Sequence, residues 1–207
     1  MERDKNSLQA LVLTGLFAAI IYIGIWVIRI PVPAMVGRPF IHFGNTLTAV
    51  AILYLGYRNG MIAGIIGLGG FDLLNGYAAT SWLTMLEVVV VASVLTAVFK
   101  GMNYRDSKKN IIILGIIAGV TKIFTTYCVS IVEALMVGTS LQVAYIGAFV
   151  SLPATVINSI STAICTPILY FAVKDAGKLI LKKQNNFYLL HINTNNRFYT
   201  IYIGCYI

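Results

Sequence analysis

Asp72, Glu87 and Glu133 are acidic side chains set in stretches that are otherwise almost wholly apolar, and Lys122 and Asn158 share that setting. A charge at the centre of a bilayer costs at least ~2.5 kcal/mol, so ionisable residues inside apolar spans are functional candidates by default. Such a set can do two kinds of chemistry. Carboxylates can act as general acid and base, but here no nucleophile or metal site accompanies them. The chain has no HExxH, no Cys/His cluster, no GxSxG and no Walker loop GxxxxGK[ST]. No catalytic residue, metal site or cofactor is therefore expected, and the chain reads as a non-enzyme. The second chemistry is capture of a small polar ligand. His42, Asn45, Asp72, Glu87, Glu133 and Asn158 would supply polar contacts, and Tyr77, Trp82 and Tyr127 would stack on a flat heterocycle. Lys122 would neutralise a carboxylate or receive an anionic group of the ligand.

The elements that must position these groups follow from composition. The 207 residues are 58% hydrophobic and 11% charged, against about 25% charged in a soluble domain, and the mean hydropathy is +0.84. This is the composition of an integral membrane protein. The net charge of +8 sits in connecting segments, so the lipid bilayer is the expected partner and nucleic acid is not. The first apolar run, from Leu8, is too long for a signal peptide and lacks a small-residue cleavage site, so it is expected to stay. Cys128, Cys165 and Cys205 have no metal spacing and read as packing residues.

A spanning helix needs about 20 apolar residues, fewer where the bilayer thins. Six candidates are present: Leu8–Ile28, Gly44–Tyr57, Met61–Leu74, Leu83–Phe99, Ile111–Met136 and Ile146–Val173. The fold class is all-α. The second and third helices are short and joined by Gly56-Tyr57-Arg58-Asn59-Gly60, so they read as a hairpin whose polar ends, His42 and Asn45 on one side and Asp72, Asn75 and Tyr77 on the other, emerge together. Basic residues place the N-terminus, the Arg58 turn, the Lys100–Lys109 loop and the tail after the sixth helix in the cytoplasm. Both termini are thus cytoplasmic, and the ligand residues lie toward the outer face. The first outer connection, Arg29 to Phe43, holds Pro31, Pro33, Gly37 and Pro39 and reads either as a cover over the bundle mouth or as a plain surface loop. Residues 1–183 form one membrane domain. From Gln184 to Ile207 the chain turns rich in Asn, Tyr and Ile without helical periodicity and reads as an atypical tail.

Gly15 and Ala19, four apart on the first helix, form a small-xxx-small face that allows close helix approach in lipid, and Gly60, Gly64, Gly67 and Gly70 form a second such stripe. Over about residues 8 to 175 the chain resembles the substrate-binding S components of energy-coupling factor (ECF) transporters, the vitamin importers of bacteria and archaea. The resemblance rests on HFGN at His42–Asn45, GGFDLLNGY at Gly69–Tyr77, the Gly15/Ala19 face and PATVIN at Pro153–Asn158. It implies a multi-pass protein of the cell membrane that binds a vitamin or precursor at the outer face and topples to release it inside. It also implies docking of the Gly15/Ala19 face on a transmembrane coupling subunit served by two ATPases. Glu87 stands where related sequences commonly carry Lys, which favours a neutral or basic heterocycle, such as a pyridine or pyrimidine vitamin precursor, over a multiply charged anion. The competing expectation is a self-sufficient secondary transporter with Glu87, Glu133 or Lys122 as a proton relay.

Overall fold

The computed structural model describes residues 2–32 and 40–193, with side chains over 8–32 and 40–179. The expected cover is therefore described only at its two ends, and residues 33–39 lie outside the described residues, as does the tail beyond Asn193. Helices dominate: α1 (Glu2–Val27), α2 (Gly44–Gly64), a wide π turn (Ile65–Gly69) running into α3 (Gly70–Leu74), α4 (Ser81–Gly101), α5 (Lys108–Met136), α6 (Leu141–Val150) and α7 (Leu152–Asn193). A two-residue antiparallel pair, β1 (Ile30–Pro31) with β2 (Phe40–Ile41), interrupts the helical pattern between α1 and α2.

Among the described residues, five helical segments are long and apolar enough to cross a membrane: Leu8–Val27, Gly44–Leu74, Ser81–Gly101, Lys108–Met136 and Leu152–Leu179. The second of them reverses on itself. Gly56 leaves the helix with φ 81° and ψ 176°. A Cβ at Gly60 would lie 2.3 Å from the Ile52 Cα, and one at Gly64 would lie 2.7 Å from the Thr48 Cγ2. In a straight helix residues eight apart are separated by about 12 Å, so the two legs run antiparallel, face to face, with glycine where the backbones touch. This is the expected hairpin, and the protein is an all-α membrane protein of about six helices. The glycine stripe serves internal packing at Gly60, Gly64 and Gly67, the last against Ile21 and Ala18 of α1, whereas no described residue lies within 4 Å of a Cβ at Gly70.

Two boundaries differ from expectation. The sixth helix does not run unbroken from Ile146: the chain bends at Ser151, giving the separate short α6 before α7 starts at Leu152. Pro153 sits in the first turn of α7, where its missing N–H costs nothing. At the other end α7 reaches Asn193, because no Pro or Gly intervenes after Gly177 to stop it, so residues 184–193 of the expected tail are helical.

The chain forms two compact units, Met1–Tyr170 and Phe171–Ile207. In the second, the described side chains include an exposed Lys178–Asp175 pair at 3.1 Å. In the first, Ile21, Ile25, Phe71, Leu95, Ile111 and Leu114 are fully buried. Its outside is apolar: Leu11, Val12, Trp26, Phe124, Ile160 and Ile164 all stay exposed, as expected of a surface whose solvent is lipid. Gly115 and Gly119 let α5 approach the α7 backbone at Ala163 and Ser159.

Candidate functional site

The polar residues converge on one cavity in the first unit. Its floor is an ion pair. Lys122 Nζ lies 2.5 Å from Glu87 Oε2, and the Thr126 hydroxyl donates to Glu87 Oε1 at 2.9 Å. Lys122 and Thr126 are one turn apart on α5, so one helix face grips both oxygens of a carboxylate from α4. Val129, Ser130 and Glu133 continue that face up the cavity wall, with the Thr80 hydroxyl beside Glu133. Across from it, the Thr84 hydroxyl of α4 donates to Asp72 Oδ2 at 2.5 Å, tying the end of the hairpin to α4. The π turn just before α3 widens the helix, as such turns often do at functional sites, and Leu68, Phe71 and Asp72 beyond or within it reach the cavity.

The opposite wall is aromatic. Phe40 lies 4.9 Å from the His42 ring and 5.9 Å from each of Phe71 and Tyr77, centroid to centroid. The Arg29 guanidinium sits 4.7 Å over Phe40 and donates to the Tyr77 hydroxyl. His42 Nδ1 accepts the Gly44 N–H at 3.0 Å, which leaves the ring proton on Nε2 and the ring neutral. Burial, then the nearby Lys122 and Arg29 charges, push its pKa down to about 3. Ser151, at the bend before α7, and Thr155 and Asn158, near the start of α7, also line the cavity.

Of the residues singled out in the sequence, the cavity brings together His42, Asn45, Asp72, Tyr77, Glu87, Glu133 and Asn158, with Lys122 below them. Trp82 and Tyr127 do not line it. Trp82 is 47% exposed and shares the outward stripe Trp82-Leu86-Val90, while Thr80, Thr84 and Glu87 occupy the inward stripe. Tyr127 is one position, about 100°, round from Thr126. The hydroxyls of Thr80, Thr126, Ser130, Ser151 and Thr155 were not singled out. Spacing could have found them: Lys122, Thr126, Ser130 and Glu133 fall at helical intervals on one face, as do Ser151, Thr155 and Asn158. Gly15 and Ala19 lie apart from the cavity, exposed on α1, and among the described residues nothing stands within 4 Å of a Cβ placed at Gly15.

Comparison with known proteins gives one family. A family model described as ECF-type riboflavin transporter, S component, matches residues 5–175. No curated protein matches the chain, and no solved structure does.

Proposed function

Since the chain belongs to the ECF-type riboflavin transporter S-component family, and so is a substrate-specific membrane subunit of a vitamin transporter, we propose that it captures riboflavin or a closely similar uncharged flavin at the outer face of the cell membrane. The observation that carries this reading is the mixed lining of the cavity, aromatic and hydroxyl-rich. Phe40, His42, Phe71 and Tyr77 offer one aromatic wall for a flat ring system. Elsewhere in the same lining, Thr80, Thr84, Thr126, Ser130, Ser151 and Thr155, with Asp72 and Glu133, offer acceptors and donors for a chain of hydroxyls. Riboflavin has both parts, a tricyclic ring and a ribityl chain. Lys122 is engaged by Glu87, which removes the obvious partner for a ligand phosphate and supports an uncharged ligand. That is a neutral heterocycle of the kind expected from Glu87, larger than a pyridine or pyrimidine precursor.

The energy for uptake comes, on this reading, from a transmembrane coupling subunit and two ATPases. The exposed Gly15/Ala19 face of α1 is the docking surface. Binding is tested by riboflavin fluorescence quenching on the purified chain, with mass spectrometry of co-purifying small molecules. Wild type should bind, and Asp72→Asn and Glu133→Gln should each weaken binding by about tenfold while leaving the protein folded. Unchanged affinity in both would remove the carboxylates from the site. Proton-driven uptake by the isolated chain in ATP-free liposomes would sink the S-component mechanism in favour of secondary transport.

A further inference from the structure

We propose that Asn158 is a positioning residue that holds the β2 wall of the cavity in place, acting on the ligand only through that wall. Its Nδ2–H donates to the Phe40 carbonyl at 2.9 Å, and its Oδ1 accepts the His42 N–H at 3.0 Å. In an extended chain the carbonyl of one residue and the N–H two residues on point the same way. A neighbouring parallel strand would meet that pair with the N–H and C=O of a single residue. The Asn158 amide supplies the same donor and acceptor from the side of a helix. The other edge of the segment is taken: Ile41, whose backbone groups point the opposite way, pairs with Ile30 of β1. β2 is thus held on both edges, by a strand of two residues on one and by one side chain on the other.

The consequence for the site is direct. Phe40 and His42 are two apart, and both line the cavity. Phe40 carries the contacts to Phe71, Tyr77 and Arg29. His42 in turn holds the first N–H of α2 through Nδ1. Asn158 is 5% exposed, so its two bonds are made away from bulk water, where a lost partner is most costly. Without the amide, the Phe40 carbonyl and the His42 N–H have no helix-side partner and the aromatic wall loses its anchor on α7.

The ligand arm of the test rests on the riboflavin reading; the other arm does not. Amide exchange at His42 is followed in the ligand-free protein in nanodiscs, by mass spectrometry with residue-resolving fragmentation, and riboflavin dissociation is followed by stopped-flow fluorescence. In Asn158→Leu the His42 amide should exchange at least about tenfold faster, and riboflavin should leave faster by a similar factor. Asn158→Asp keeps an acceptor for His42 but loses the donor to Phe40, so it should retain His42 protection and still release riboflavin faster. It also covers the case in which the Leu variant does not fold. Faster release with wild-type His42 protection in the Leu variant, or lost His42 protection in the Asp variant, would overturn the proposal; the first result would assign Asn158 to the ligand directly. If wild type fails to bind riboflavin, the functional reading falls, and the exchange measurements still decide the role of Asn158.

Discussion

Lys122→Met would leave the Glu87 carboxylate, whose side chain is 8% exposed, with Thr126 as its remaining partner. Removing one member of a buried pair typically costs ~3 kcal/mol or more, whereas replacing both members with neutral groups of similar size costs far less. The single variant should therefore unfold at a clearly lower temperature in detergent, and Glu87→Gln/Lys122→Met should recover most of the loss. Equal loss in the single and double variants would mean that the charges do not stabilise one another. His42 gives a pH prediction whose sign is fixed by geometry. Its folded pKa, about 3, lies below the ordinary 6.5, so between those values the unfolded chain binds the extra proton. The contribution is complete above pH 6.5 and is lost as pH falls from 6.5 toward 3. Because Gly44 N–H needs an acceptor at this position, His42→Asn is the conservative partner. The slope of stability against pH between 4 and 6.5 should be shallower in that variant, and an unchanged slope would show that His42 does not titrate on unfolding.

The hairpin shows how much one glycine position decides. At Gly60 even a methyl group would lie 2.3 Å from the Ile52 Cα and 2.6 Å from the Ala51 carbonyl oxygen. Backbone cannot step aside as a flexible side chain can, so Gly60→Ala should lower the yield of folded protein by size-exclusion chromatography, while Gly70→Ala, with nothing within 4 Å, should not. A wild-type elution profile for Gly60→Ala would mean that the two legs are free to separate. Much of this architecture was legible in the residues. Glycines bracketing Arg58 marked the turn, and polar residues at both hairpin ends marked the cavity. Placement around a helix was less legible. Trp82 is two residues before Thr84 and sits at the right depth, yet the 3.6-residue period turns it outward with Leu86 and Val90. Depth can be read from distance to a helix end, but azimuth needs a full stripe, and a lone aromatic at a membrane boundary carries none. The break at Ser151 was hidden for a related reason: apolar residues run through both α6 and the start of α7, and the bend between them shows only as Ser-Leu-Pro.

Across the folded unit the apolar exterior is not uniform. Most of it is bulky, but α1 presents Gly15 and Ala19 between exposed Leu11 and Val12 on one side and Ile23 and Trp26 on the other, with none of the described residues over Gly15. Small residues on a helix gain little from lipid tails, whereas they let another helix approach closely. The same helix uses an adjacent face, roughly 100° round, internally: Ile21 and Ala18 pack on Gly67 of the hairpin, and Ile25 meets Gly44. The two faces can therefore be tested separately. Gly15→Leu and Ala19→Leu should leave riboflavin affinity within roughly twofold of wild type, because a substitution that touches nothing in the fold changes little, yet both should abolish co-purification with the coupling subunit and ATP-driven uptake. Gly67→Leu, which meets Ile21 at 2.6 Å and the Ala18 carbonyl oxygen at 2.9 Å, should fail earlier, losing folded protein and binding together. Loss of riboflavin binding in the Gly15 and Ala19 variants to the same degree as in Gly67→Leu would place that face inside the bundle's own packing and remove it as a docking surface. Retained uptake in them would move the docking surface elsewhere.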